Sequence, residues 1–195
     1  DNGKTLTIGT NFTNYGTHTG TGRIVMGAGT ITGASDFGNL TLTGATTLAG
    51  IINLNGNLIH TGGAITNNAT LTFADGITIT RSGGTFTNNA TVSYDGTVNL
   101  NYTGALTTGA EVSEARSNGI NNMTIGAAVT LGSAVTINGT LALNAALTTT
   151  GRNVTIKNPL TGTLSNFHAD GSLTIAGTAS NILVPSTTYD TLTVN

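Results

Sequence analysis

Carboxylates are the residues of this chain best suited to chemistry, and the acids are Asp1, Asp36, Asp75, Asp95, Glu111, Glu114, Asp170 and Asp190. A polysaccharide lyase or glycosidase needs carboxylates gathered in a groove, with a base or cation nearby. Asp75 and Asp95 are the pair whose spacing matches the repeat described below. On neighbouring coils they would stand about 5 Å apart, a separation that serves a retaining glycosidase or a calcium site. Each is also followed by glycine, and two Asp-Gly turns at equivalent corners are the simpler account. Glu111-Val-Ser-Glu114-Ala-Arg116 is the one charge cluster. One helical turn would bring Glu111 and Glu114 together, but a solvated loop between two modules fits its position better.

The remaining candidates are sparse. His18, His60 and His168 have no metal-ligand spacing with each other or with the acids. His18, between Thr17 and Thr19, reads as a surface or edge residue. Lys4 and Lys157 show no reason to pair with an asparagine in an isopeptide crosslink. Tyr15, Tyr94, Tyr102 and Tyr189 are too scattered for a sugar-stacking platform. No phosphate loop, nucleophile elbow or calcium-binding nonapeptide is present. The expectation is therefore no catalytic, cofactor-binding or metal-binding residue.

Composition points the same way. Charged residues are 7% of 195, hydrophobic residues 37%, and 28 residues are glycine; Cys and Trp are missing. The apolar fraction is too high for a disordered chain. A net charge of −2 with no basic patch removes the electrostatic basis for nucleic-acid binding. No apolar run approaches a membrane span. No cysteine is available for a disulfide framework or a thiolate metal site.

The elements that must position these residues are short. Apolar-x-apolar pairs recur along the chain, among them Leu6/Ile8, Leu40/Leu42, Ile52/Leu54, Leu71/Phe73, Ile77/Ile79, Val98/Leu100, Val135/Ile137, Val154/Ile156, Leu173/Ile175 and Leu192/Val194. Thr or Asn usually sits between, so apolar side chains face one way and polar ones the other, the period of a strand. Asn55-Gly56, Asp75-Gly76, Asp95-Gly96 and Asn138-Gly139 mark turns.

The segments repeat. Ile65-Thr66-Asn67-Asn68-Ala69-Thr70-Leu71 is echoed 21 residues on by Phe86-Thr87-Asn88-Asn89-Ala90-Thr91-Val92. At longer range, Gly38-Asn39-Leu40-Thr41-Leu42 resembles Asn121-Asn122-Met123-Thr124-Ile125, and one common offset also aligns Ile52–Gly56 with Val135–Gly139. The expected fold is all-β: a parallel β-solenoid (β-helix) of short strands, about 20 residues per coil. It forms one continuous segment over 1–195, with module starts near 36, 119 and 188. A chain opening at Asp1 and closing as a third copy begins reads as a piece of a longer array. Nine or ten coils about 4.8 Å apart would make a rod on the order of 45 Å long. An immunoglobulin-like sandwich, or two in tandem, is the rival, since it too is built from short alternating strands.

The run Ile120–Ile125, with Val129-Thr130-Leu131-Gly132-Ser133-Ala134-Val135-Thr136-Ile137-Asn138-Gly139-Thr140-Leu141, resembles the repeats of very large secreted surface proteins of Bacteroidetes-type bacteria. The likeness covers most of residues 36–157. Similar Thr/Asn/Gly-rich repeats occur in autotransporter and filamentous-haemagglutinin-type adhesins. The resemblance implies export to the cell surface and brings no catalytic residues with it.

The expected function is a structural or adhesive rod at the cell surface or in an extracellular filament. Its expected partners are other copies, neighbouring repeats or a surface glycan. A carbohydrate-binding or carbohydrate-cleaving β-helix is the second possibility and an ice-binding β-solenoid the third. Ice binding needs Thr-x-Thr once per coil in register. Thr5/Thr7, Thr41/Thr43, Thr78/Thr80, Thr85/Thr87 and Thr191/Thr193 are irregularly spaced, so they read as ordinary strand surface.

Overall fold

The computed structural model describes residues 3–18, 20–112, 119–177 and 184–195. The chain is an all-β parallel solenoid of about 9 turns, successive coils lying about 19 residues apart. Every strand pair whose register is resolved is parallel, which excludes the antiparallel sandwich. Two compact units make up the chain, Asp1–Val98 and Asn99–Asn195.

The coils of the first unit build three sheets. The first face stacks Thr5–Ile8, Arg23–Met26, Asn39–Leu42, Leu58–His60 and Thr78–Arg81. The second stacks Phe12–Thr13, Gly29–Thr32, Thr46–Leu48, Ala64–Asn67 and Thr85–Asn88. The third stacks Ala34–Phe37, Ile51–Leu54, Thr70–Phe73 and Thr91–Tyr94. Period-two alternation gives each strand an inward set, and register puts each inward residue on its equivalent in the next coil. Phe37, Leu54 and Phe73 form one such column, and Ile52 and Leu71 belong to another. All five are buried, each contributing about 1.5–3 kcal/mol relative to exposure. The 21-residue echo is one turn of this solenoid: Ile65 pairs with Phe86, Thr66 with Thr87 and Asn67 with Asn88.

Glycine allows the corners to close. Gly44 lies so tightly on Gly27 that a Cβ there would fall onto the Gly27 carbonyl, and Gly63 lies as tightly on Gly44. Gly33 combines a φ of +104° with a similar approach to the Asn14 carbonyl, so this corner needs glycine for both conformation and space.

The second unit also winds in parallel coils, with shorter strands. Its long strand Ile120–Ile125 feeds two columns: Ile120 pairs with Ile137, and Met123–Ile125 pairs with Leu141–Leu143. The first column continues through Val135–Ile137, Val154–Ile156, Leu173–Ile175 and Leu192–Val194. A third stacks Leu106–Thr107, Val129–Thr130, Leu147–Thr148 and Phe167–His168. A 3-10 turn, Leu164–Asn166, leads into the last of these. Among the described residues no helix is long and apolar enough to cross a membrane.

Candidate functional site

Asp75 and Asp95 do not form a stacked carboxylate pair. Thr70–Phe73 pairs with Thr91–Tyr94 at a step of 21 residues, one more than the separation of the two acids. Asp75 is therefore brought against Gly96 and Thr97. Its Oδ1 accepts the Thr97 backbone N–H at 2.6 Å and the Thr97 hydroxyl at 3.1 Å. These bonds hold its carboxyl below the ordinary value of 3.8, the backbone donor having the larger effect. Asp75 thus ties one coil to the next at a corner. Asp170 does the same in the second unit, accepting the Gly151 N–H at 2.6 Å and the Thr149 hydroxyl at 2.9 Å. Its carboxyl is lowered by Gly151 first and Thr149 second.

Glu111 corrects the reading of a solvated loop. It is fully buried: Oε1 accepts the Tyr102 hydroxyl at 3.1 Å, and both carboxylate oxygens accept the Gly109 N–H at 3.1 Å. Val112 is buried beside it, and its carbonyl accepts the Ser133 hydroxyl at 2.6 Å. Glu114, Arg116 and Thr19 lie outside the described residues.

The histidines are dispersed. His18 is half-buried, and its Nδ1 accepts the Gly38 N–H at 3.1 Å. His168 is exposed. His60 is fully buried and points into the first unit's core. Its Nε2 lies 3.0 Å from the Gly62 carbonyl and 3.3 Å from that of Gly63. Carbonyls only accept, so Nε2 carries the proton.

Beside His60 stands Arg81, whose buried side chain the sequence reading did not single out. The two pair in register, and neither has any surface exposed to solvent. Arg81 Nη2 donates to the Gly84 carbonyl at 2.7 Å. Their column runs from Ile8 through Met26 and Leu42, so the interior turns from apolar to polar along it. The signal was present in the alternation Leu58-x-His60 and Ile79-x-Arg81, which places both polar residues inward. Carbonyls of the corner glycines accept from His60 Nε2 and Arg81 Nη2 where water cannot reach. The two side chains thus reach the corners at Gly62-Gly63 and Gly84 from inside.

Asparagines make further ladders. Asn67, fully buried, donates to Asn88 Oδ1 at 2.8 Å and to the Thr91 carbonyl at 2.9 Å. On the surface Asn89 donates to Asn68 Oδ1 at 2.8 Å. In the second unit Asn99 Oδ1 accepts the Asn122 amide at 3.0 Å.

Two features lie on the outer surface of the first unit. A shallow concavity on the first face is lined by Arg23, Asn39, Asn57, Ile59, Thr78 and Thr80. On the second face Thr30, Thr47, Thr66 and Thr87 stand in register, one per coil. Unequal coil lengths scatter these threonines along the sequence, and only Thr87 among them belongs to the Thr-x-Thr pairs named above. The four tyrosines do not converge: Tyr15 is exposed, Tyr94 packs edge-on against Phe73 at 5.6 Å, and Tyr102 is buried. Tyr189 donates to the Pro185 carbonyl at 2.6 Å, and burial raises its hydroxyl pKa. Among the described residues no three His, Asp or Glu side chains gather as metal ligands. Lys4 is exposed and Lys157 half-buried. Compared with known proteins, the chain is matched by no family model, no curated protein and no solved structure.

Proposed function

We propose that this chain is a structural or adhesive segment of a secreted cell-surface protein or extracellular filament, acting as a stiff, non-catalytic rod. The observation that carries the reading is the unbroken in-register stacking of buried columns within each unit, such as Phe37–Leu54–Phe73 and Ile137–Ile156–Ile175. Stacked columns joined by ladder hydrogen bonds resist bending, and the load is spread over many residues. The likeness to bacterial surface repeats supports export and display. Partners are other copies of the chain, adjoining repeats or a surface glycan. The polar concavity around Arg23 and Asn57 offers amide, hydroxyl and guanidinium donors to the last of these.

Negative-stain electron microscopy with light scattering tests the rod. Elongated particles or fibres one solenoid wide are expected, and compact globular monomers would overturn it. A second reading, ice binding, is favoured by the threonine column on the second face. The strands bearing it, Gly29–Thr32, Thr46–Leu48, Ala64–Asn67 and Thr85–Asn88, contain no charged residue. A thermal-hysteresis assay decides it: activity abolished by Thr66→Tyr supports the reading, and no hysteresis in the parent chain removes it.

A further inference from the structure

Asn55-Gly56 and Asn138-Gly139 hold corresponding places in the two copies of the long repeat, yet the fold treats them differently. Asn138 donates its side-chain amide to the Ile120 carbonyl at 3.1 Å, and Gly139 donates its N–H to the Asn121 carbonyl at 2.7 Å. Asn55 is exposed, and only its backbone N–H is engaged, donating to the Phe37 carbonyl at 2.7 Å. Among the described residues neither the Asn55 carboxamide nor the Gly56 N–H has a hydrogen-bond partner.

We infer that Asn55 is a site of spontaneous deamidation through a succinimide, and that the fold protects Asn138 from the same reaction. Once deprotonated, the Gly56 nitrogen forms a bond to Asn55 Cγ. The bond from Cγ to the side-chain nitrogen breaks, and that nitrogen leaves as ammonia. Water then opens the five-membered ring at either carbonyl, giving aspartate or isoaspartate with no change in oxidation state. Glycine at the attacking position has no Cβ to obstruct closure. At Asn138 the corresponding nitrogen is tied to Asn121 and the amide to Ile120, so both bonds must open before the ring can form.

The product alters the corner. Isoaspartate adds a methylene to the main chain where Gly56 already lies against the preceding coil; a Cβ there would sit 2.6 Å from the Gly38 carbonyl carbon. The neighbouring bond from the Asn57 N–H to Asn39 Oδ1, 3.1 Å long, belongs to the same corner. Deamidation therefore adds a negative charge and loosens one joint of the first unit, marking the age of the molecule.

The test holds the folded chain in mildly alkaline buffer and follows both peptides by mass spectrometry, labelling isoaspartate with a protein isoaspartyl methyltransferase. Asn55 is expected to convert on the order of a hundredfold faster than Asn138, about tenfold for each of the two hydrogen bonds that must open. In urea the two rates should converge. Asn55→Gln, whose longer amide closes a less favourable ring, should remove the isoaspartate signal from that peptide while keeping the strand spectrum. Equal rates in the folded chain would overturn the inference. So would an Asn55 that stays intact when folded but converts when unfolded.

Discussion

The two units build one fold from unequal materials. In the second, the column from Val135 through Val154 and Leu173 to Leu192 advances 19 residues at every step, and its pairs Val135/Ile137, Val154/Ile156 and Leu173/Ile175 are aliphatic and buried. On the first face of the first unit the step changes from coil to coil, from Arg23↔Asn39 to Leu40↔Leu58 to Leu58↔Ile79, as it also does in the second unit's column through Leu106, Val129, Leu147 and Phe167. One of the first unit's interior columns carries a histidine and an arginine. The difference teaches that register, not residue count, is conserved along a solenoid. Corners absorb extra residues, and buried polar groups are accepted where corner carbonyls turn inward to meet them.

The largest perturbation tests what the units share. Leu54→Asp in the first and Ile137→Asp in the second each place a carboxylate in a column with no donor. Each should cost several kcal/mol and abolish the strand signal or sharply lower the melting temperature in circular dichroism. A variant that melts like the parent would remove its column from the core. Next comes Glu111→Ala in the second unit. It strips the acceptor from the buried Tyr102 hydroxyl and the Gly109 N–H, and a loss of about 2–4 kcal/mol is expected in urea unfolding.

His60→Leu sharpens the contrast from the other side. It extends the Met26–Leu42 column with another aliphatic residue, so a change within about 1.5 kcal/mol, of either sign, is expected. A loss as large as that for Glu111→Ala would mean that His60 organises the corner glycines rather than occupying space. The smallest effect concerns acid. Asp75 and Asp170 have folded-state pKa values below 3.8, so the unfolded chain binds their protons more readily. Their stabilisation is present above that ordinary value and is lost as pH falls through the lowered one. Asp75→Asn and Asp170→Asn should each flatten the melting-temperature profile over that acidic window and change little at neutral pH.

Much of the fold was legible from alternation alone. Leu40/Leu42, Ile52/Leu54, Leu71/Phe73, Val135/Ile137 and Val154/Ile156 are all buried, because a period of two leaves a strand one choice of inward face. The Asn-Asn-Ala echo gave the register of one coil directly. Leu6, Leu192 and Val194 break the pattern, exposed at 53%, 44% and 65%, on strands with a neighbouring coil on one side only. The sites were harder to read. Glu111 was taken for solvent-facing because charge usually is, and nothing in the sequence marks the Tyr102 hydroxyl as the partner that accompanies it inside. Asp75 and Asp95 missed each other by one residue of corner length. The threonine column was hidden by the same inequality of coil lengths.

The spacing of about 19 residues between paired strands has a consequence for how the chain folds. Each coil finds its partner in the segment just made, so closing a coil costs the same loop entropy however many have gone before. Such a chain can assemble as a zipper, every finished coil serving as template for the next. A polypeptide delivered one end first could fold as it emerged, without waiting for a distant segment to arrive.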